Sequence, residues 1–176
     1  MASTILVDKI DPQSGTALEI GTSGDTITIP SGVTLTNNGT ASGFGKIGQV
    51  LSTTKTDTFT VNSRSYSAIT GLSVSITPSS TSSKILVIVS LQAVASNNGD
   101  AVILRDSTQI GVGDTSGSRT SGSFGDFYNG GGSALTSNSA SVLDSPSTTS
   151  AITYSVSCLT ASSSVFYVNR TTTDTD

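Results

Sequence analysis

The stretch "KILVIVSLQAV", residues 84 to 94, decides the fold class of this chain. It is rich in β-branched and aliphatic residues, which favours a strand, and it is shorter than the ~20 residues that a membrane-spanning helix needs. The run does not alternate between apolar and polar positions, so both faces of the strand carry apolar side chains that must be buried. The core of an antiparallel sandwich can cover only one face. We therefore expect a second copy of the chain, or a long loop of the same chain, to cover the other face.

The composition around this run indicates an all-β protein. The chain has 176 residues, enough for one ordinary globular unit and an extension. Charged residues make up 11%, where globular chains average about 25%, and serine with threonine makes up roughly a third. No window of ten or more residues has apolar positions at helical spacing.

The chain from residue 46 to residue 176 is predicted to form a β-sandwich or barrel head. Its apolar stretches recur at the interval that is typical of antiparallel folds of this kind. "LSVSITP" and "AITYSVSCL" alternate, which predicts strands with one face in the core and one in solvent. The predicted strands are residues 49–61, 66–77, 84–95, 101–105, 108–112, 124–128, 139–143, 150–159 and 164–169.

Residues 1 to 45 are predicted to form a separate, elongated β stalk of very short strands. The stretch "ALEIGTSGDTITIPSGVTLTNNGT", residues 17 to 40, holds three apolar pairs, each flanking one polar residue, with glycine and proline between them. Each side chain contributes roughly 1.5 to 3 kcal/mol if buried, while ordering costs about 1 to 2 kcal/mol for every residue, so one copy should not fold alone. The pairs are candidates for the axis of an oligomer: Leu18, Ile20, Ile27, Ile29, Val33 and Leu35.

The residue types present argue against an enzyme. Histidine is absent, which removes the commonest general base and the commonest transition-metal ligand. Nearly all the acids are aspartates in turn contexts, where aspartate binds the local backbone. The stretch "DTSGSRTSGSFGD" lacks the oxygen spacing and the closing glutamate of a known calcium loop. We expect no catalytic residues, no bound metal and no cofactor.

The charge distribution and the N-terminal sequence argue against two classes of partner, nucleic acids and membranes. The eight lysines and arginines are scattered singly in a chain of net charge −4, so no basic stripe is available for nucleic acid. The start "MASTILVDKID" lacks the basic region of a signal peptide, so we expect synthesis in a cytoplasm without membrane insertion. Cys158 is the only cysteine and lies in an alternating stretch, which predicts a small buried side chain.

One region has the composition of a recognition loop. "SGSFGDFYNGGGSALTSN", residues 121 to 138, holds three aromatics within five positions, although aromatics are only 5% of the chain. Rigid aromatics beside serine, glycine and asparagine are typical of binding loops. The receptor-binding candidates are Phe124, Asp126, Phe127, Tyr128 and Asn129. The alternative is that Phe124 and Phe127 are core residues and only Tyr128 is exposed.

Several sequence segments resemble those of a family of virion appendage proteins, similar to tail fibres, that is common among marine bacteriophages. They are "STILVDKIDPQSGTALEIG", "TITIPSGVTLT", "LSVSITPSSTSSKILV", "IGVGDTSGSR" and "LDSPSTTSAITYSV" leading to "VFYVNRTTTDTD". The resemblance spans essentially the whole chain. It implies a trimer with a slender N-terminal part that attaches to the particle. It also implies a jelly-roll head of the tumour-necrosis-factor or complement-head type. Members of the family continue past "VNRTTTDTD" into a final apolar strand, so either this sequence is truncated before that strand, or the strand is missing and a sheet edge lies open.

These observations predict a non-enzymatic, homotrimeric structural protein of a phage virion, made in the host cytoplasm. Residues 1–45 would bind other virion proteins, and the head, residues 46–176, would contact a host glycan or outer-membrane protein by multivalent adhesion. The alternative is a capsid decoration protein or head fibre with the same architecture. The sequence does not distinguish tail from capsid.

Overall fold

The computed structural model describes residues 20–34, 36, 38, 47–114, 116–118, 121–128, 130, 133–161 and 164–173. The chain divides into two compact units, Met1–Gly45 and Lys46–Asp176. The predicted division of the chain coincides with this boundary, and the roles of the two units as stalk and head stay predictions.

Two tight turns shape the described part of the first unit. The Asp25 N–H donates to the Thr22 carbonyl at 3.0 Å, and the Val33 N–H donates to the Pro30 carbonyl at 3.3 Å. The third residue of each turn is a glycine with a φ of 98° or 86°, a region that a type II turn requires and that glycine adopts without strain. No strand occurs within residues 20–34, so the short strands expected there are absent. The physical reason is that a two- or three-residue apolar stretch has no neighbouring strand with which to form a ladder.

The second unit is all-β: its described residues form strands, turns and loops and contain no helix. Eight strands follow one another along the chain. They are β1 (Phe59–Val61), β2 (Ser67–Ile76), β3 (Ile85–Ala95), β4 (Gly99–Arg105), β5 (Thr108–Ile110), β6 (Thr136–Asp144), β7 (Ile152–Thr160) and β8 (Phe166–Val168).

The strands form two antiparallel sheets of four, a β-sandwich-like arrangement. The first sheet has the order β1-β8-β3-β6 and the second has the order β2-β7-β4-β5. The core lies between them, and its fully or nearly fully buried side chains include Leu91, Ile103, Val156, Phe166 and Val168. These residues come from alternate positions of strands in both sheets, which is how a sandwich fills its interior.

Two predicted strands differ from the structure. Residues 124–128 form no strand, and only an isolated bridge joins Tyr128 to Ala95. Of residues 49–61, only Phe59–Val61 are in a sheet. The segment before them contacts β2 and the residue that follows it through side chains instead: Thr53 Oγ1 donates to the Gly71 carbonyl at 3.5 Å, and Gln49 Nε2 donates to the Thr77 carbonyl at 2.9 Å. The spacing of apolar residues predicted both strands, but a strand also needs a neighbouring strand close enough to form backbone hydrogen bonds with it.

A polar cluster links the two sheets. The Asp144 carboxylate, on β6 of the first sheet, accepts two hydrogen bonds from Arg105 Nη1 at 2.8 and 3.0 Å. It also accepts a 2.6 Å hydrogen bond from the Tyr154 hydroxyl, and Tyr154 lies directly opposite Arg105 in the second sheet. Burial by itself raises the pKa of Asp144, but these hydrogen bonds together hold it below its usual range. The cluster therefore joins the sheets through a charged group with several partners.

Candidate functional site

The predicted recognition loop is largely a core element. Phe124 and Phe127 are buried, and the Phe127 ring lies edge-on to Phe166 with centroids 5.0 Å apart. The Phe127 N–H donates to the Gly99 carbonyl at 3.3 Å, which fixes the loop across the start of β4. Phe124 and Phe127 are therefore core residues, as the alternative interpretation has it, and the prediction that they contact a receptor is wrong for the exposed surface of this chain. Burying these two apolar rings against the sandwich is more favourable than exposing them to solvent in a loop.

Tyr128 is the aromatic of this loop that reaches solvent. Its side chain is 39% exposed, and its backbone N–H donates to Asp126 Oδ1 at 2.9 Å. The loop thus presents Tyr128 beside the Asp126 carboxylate, and the hydrogen bond that this carboxylate accepts stabilises the turn. Asn129, the remaining candidate, lies outside the described residues.

The candidates for the stalk axis are exposed in a single chain. Ile20, Ile27, Ile29 and Val33 all present large apolar side chains to solvent. Leu18 and Leu35 lie outside the described residues. Within one copy these four side chains are not buried against the described residues, and their place in an oligomer stays a prediction.

The described reactive side chains of the second unit form no metal-binding cluster. Cys158 is completely buried on β7, and burial raises the pKa of its thiol to about 12. Asp100 is half-buried, and burial, with the nearby charge of Asp126, raises its pKa. Within the part of the chain that the structure describes, no three histidine, cysteine or acidic side chains lie close enough to hold a metal ion.

The first sheet has an exposed apolar face, formed by Leu86, Ile88 and Leu143. These side chains are 61%, 72% and 64% exposed. Leu86 lies directly opposite Leu143 in the antiparallel ladder, and Ile88 follows two residues later on the same side of β3. Cross-strand neighbours on one face have Cβ atoms about 5 Å apart, so the three side chains form one continuous patch.

The opposite side of the same strands explains this patch. Val87 and Val89 on β3 pack against the core, as does Val142 on β6. Residues between them on each strand must point to the other face of the sheet. The sequence "KILVIVSLQAV" therefore places aliphatic side chains on both faces, as expected, and the outer face near Leu86 and Ile88 is uncovered in one chain.

Sequence reasoning found β3 but missed Leu143. The signal was present in "SASVLD", where Val142 and Leu143 are adjacent aliphatics in an otherwise polar strand. Two adjacent aliphatics in a strand cannot both face the core, so one of them must point outward. Only the register with β3 reveals that the outward leucine lies beside Leu86.

No helix in the described residues is long and apolar enough to cross a membrane. Comparisons with protein families, with characterised proteins and with solved structures found no match to this chain.

Proposed function

We propose that this protein is a homotrimeric structural protein of a phage virion, a fibre whose N-terminal unit attaches to the particle and whose head contacts the host surface. The observation that carries the self-association is the apolar face of Leu86, Ile88 and Leu143. Contiguous exposed aliphatic side chains on a sheet mark a surface that another protein covers. The assignment to a virion rests on the sequence segments that resemble phage appendage proteins.

The strand order supports a jelly-roll head. An eight-stranded sandwich with β1-β8-β3-β6 facing β2-β7-β4-β5 has the connectivity of a jelly roll, an architecture that recurs in viral proteins. The head implied by the resemblance has this architecture. A fold does not determine a function, so the order of the strands supports the proposal only together with the apolar face.

The energetics favour an assembly that uses both units of the chain. Burying the exposed part of Leu86, Ile88 or Leu143 would contribute about 1–2 kcal/mol per side chain. Nine such side chains in a trimer contribute on the order of 10 kcal/mol, which is similar to the cost of lost translational and rotational freedom. Further burial is needed for a stable trimer. The exposed isoleucines of the first unit, Ile27 and Ile29, are the source that we propose.

Light scattering on the purified protein tests the trimer. We expect three times the chain mass of 17.7 kDa. Ile88→Asp would place a charge in the proposed interface, where an unpaired charge is costly, and should shift the mass toward that of the monomer. Thr70→Asp is the matched control, because Thr70 is exposed on β2 of the other sheet. A wild-type monomer at micromolar concentration, or equal effects of both variants, would contradict the proposal.

Labelled particles would test the role in the virion. Antibody or gold labels on the head, imaged on intact particles, should appear at the tail if the protein is a tail fibre. Labels spread over the capsid would support the capsid decoration alternative instead. For host contact, Tyr128→Ala should reduce adsorption to host cells while leaving the mass unchanged, since Tyr128 is partly exposed and outside the apolar face.

A further inference from the structure

The first sheet contains a slot beyond the end of β8. β8 lies between β1 and β3 but pairs only with Ala93–Ala95, whereas β3 begins at Ile85. The segment Leu51–Lys55, which leads toward β1, lines the other side of the gap. At the mouth of the slot one residue spans both walls. The Asn169 N–H donates to the Gln92 carbonyl at 3.0 Å, and its Nδ2 donates to the Lys55 carbonyl at 2.9 Å.

The slot is hollow and mostly apolar at its base. Two adjoining cavities of about 340 and 170 Å³ occupy it, and both are lined by Thr53, Leu72 and Ser90. Val87 and Val89 contribute to the lining of the smaller cavity. They remain only partly buried, although they face the core. The core of the sandwich is therefore incompletely filled along this side. Lys55, at the mouth, is the charged residue that lines the larger cavity.

The wall formed by β3 offers unpaired backbone groups. The Gln92 carbonyl points toward β8, where it accepts from Asn169, so residues at even positions of β3 direct their backbone groups to this side. Leu86, Ile88 and Ser90 continue this row into the slot. None of the described residues hydrogen-bonds to them there. Their three N–H and three C=O groups form an open strand edge, which is a template for another strand.

The described residues of the chain do not fill the slot themselves. A continuation of β8 would place Arg170 and Thr172 on the inward side, opposite Leu91 and Val89, where polar side chains are unfavourable. The chain instead turns at Asn169, whose φ is 57°, and the Thr172 N–H donates to the Ser133 carbonyl at 3.4 Å.

Two other described stretches have exposed aliphatic side chains but do not match the slot. In 47–51 the aliphatic residues Val50 and Leu51 are adjacent rather than alternate. In 26–29 the alternation is correct, but Pro30 follows at once and lacks the N–H that a longer ladder needs. Neither of these described stretches therefore supplies a strand opposite Leu86–Ser90.

We infer that this slot is an acceptor site for one β-strand of a partner protein. The strand runs antiparallel to β3 and carries aliphatic side chains at the three alternate positions opposite Leu91, Val89 and Val87. It hydrogen-bonds to Leu86, Ile88 and Ser90, and its inward side chains fill the two cavities. This is recognition by strand addition, in which the main chain supplies affinity and the alternate side chains supply specificity. The inference rests on the open edge and the cavities and does not depend on a role in a virion.

Hydrogen exchange on the full chain with a synthetic peptide, acetyl-KTVTVTVTK-amide, tests the acceptor site. Without peptide, the amides of Leu86, Ile88 and Ser90 should exchange fast, while those of Val87 and Val89, paired with β6, should be protected. At ten times the Kd, the peptide should slow exchange of the three open amides by about tenfold. Val87 and Val89 serve as internal controls and should not change.

Two control peptides separate strand addition from apolar adhesion. The peptide acetyl-KTTVVVTTK-amide has the same composition without alternation, and a version with proline in place of the threonine opposite Ile88 lacks one donor. Neither should slow exchange. The inference is overturned if the alternating peptide has no effect at millimolar concentration or if all three peptides act equally. It is also overturned if the three amides are already protected in the pure protein. Protection that depends on protein concentration would assign the slot to a second copy, and constant protection would assign it to the chain's own residues.

Discussion

Asp144 is the residue whose charge most directly joins the two sheets. Its carboxylate is 10% exposed and binds both Arg105 and Tyr154. Asp144→Asn should lower the free energy of unfolding at pH 7 by about 1–3 kcal/mol, the range for hydrogen bonds to charged groups. Urea denaturation at a fixed protein concentration would measure it. Asp114→Asn is the matched control, because Asp114 is exposed, so little change is expected.

The same carboxyl group predicts how stability depends on pH. The pKa of Asp144 in the folded protein lies below the ordinary value of 3.8. Its stabilising contribution is therefore complete above that value and is lost as the pH falls through the folded pKa. The difference between wild type and Asp144→Asn should shrink as the pH is lowered from about 5 toward 2. A difference that stays constant over this range would show that the charge of Asp144 contributes nothing.

Cys158 should report unfolding. Its side chain is completely buried, and burial raises the pKa of the thiol to about 12, so the reactive thiolate is scarce at pH 8. We expect a disulfide reagent such as DTNB to react at the rate of unfolding in native buffer and at once in denaturant. Immediate stoichiometric reaction in native buffer would mean that β7 opens locally, in conflict with its place in the core.

At the scale of elements, Gly99 sets how closely β3 and β4 approach. A Cβ atom added to Gly99 would lie 2.6 Å from the Cβ of Ala95 and 2.8 Å from Cδ2 of Phe166. Gly99→Ala should therefore destabilise the sandwich by about 1–3 kcal/mol through overpacking. Gly113→Ala is the control, because nothing lies within 4 Å of its added Cβ. Thermal melting of the two variants compares them, and equal melting temperatures would contradict the assigned packing.

At the scale of the whole molecule, the two units predict separable roles. Removal of residues 1–45 should leave the eight strands of Lys46–Asp176 folded, because all the sheet pairings lie within that unit. Circular dichroism should retain a β-type spectrum. We expect the shortened chain to be missing from assembled particles, since the N-terminal unit is the proposed attachment. Incorporation at the level of the full chain would place the attachment in the head instead.

The linear pattern determined the fold class and most of the strands. The run predicted as 84–95 is the strand Ile85–Ala95, and the alternating stretch predicted as 150–159 is Ile152–Thr160. Both follow from side-chain alternation and β-branched composition, which are local properties. The aliphatic character of both faces of β3 was also legible in the sequence, because it needs only the side-chain period of a strand.

The tertiary structure decided which apolar residues are core and which are surface. Phe124, Phe127 and Tyr128 are equally aromatic in the sequence, but only the position of their loop across β4 buries the first two. Leu143 became part of a patch because the register of β6 brings it opposite Leu86. The open edge of β3 depends on where β8 turns away at Asn169. Such outcomes depend on contacts between residues that are distant in sequence, whereas local periodicity records only which residues are apolar and how they are spaced.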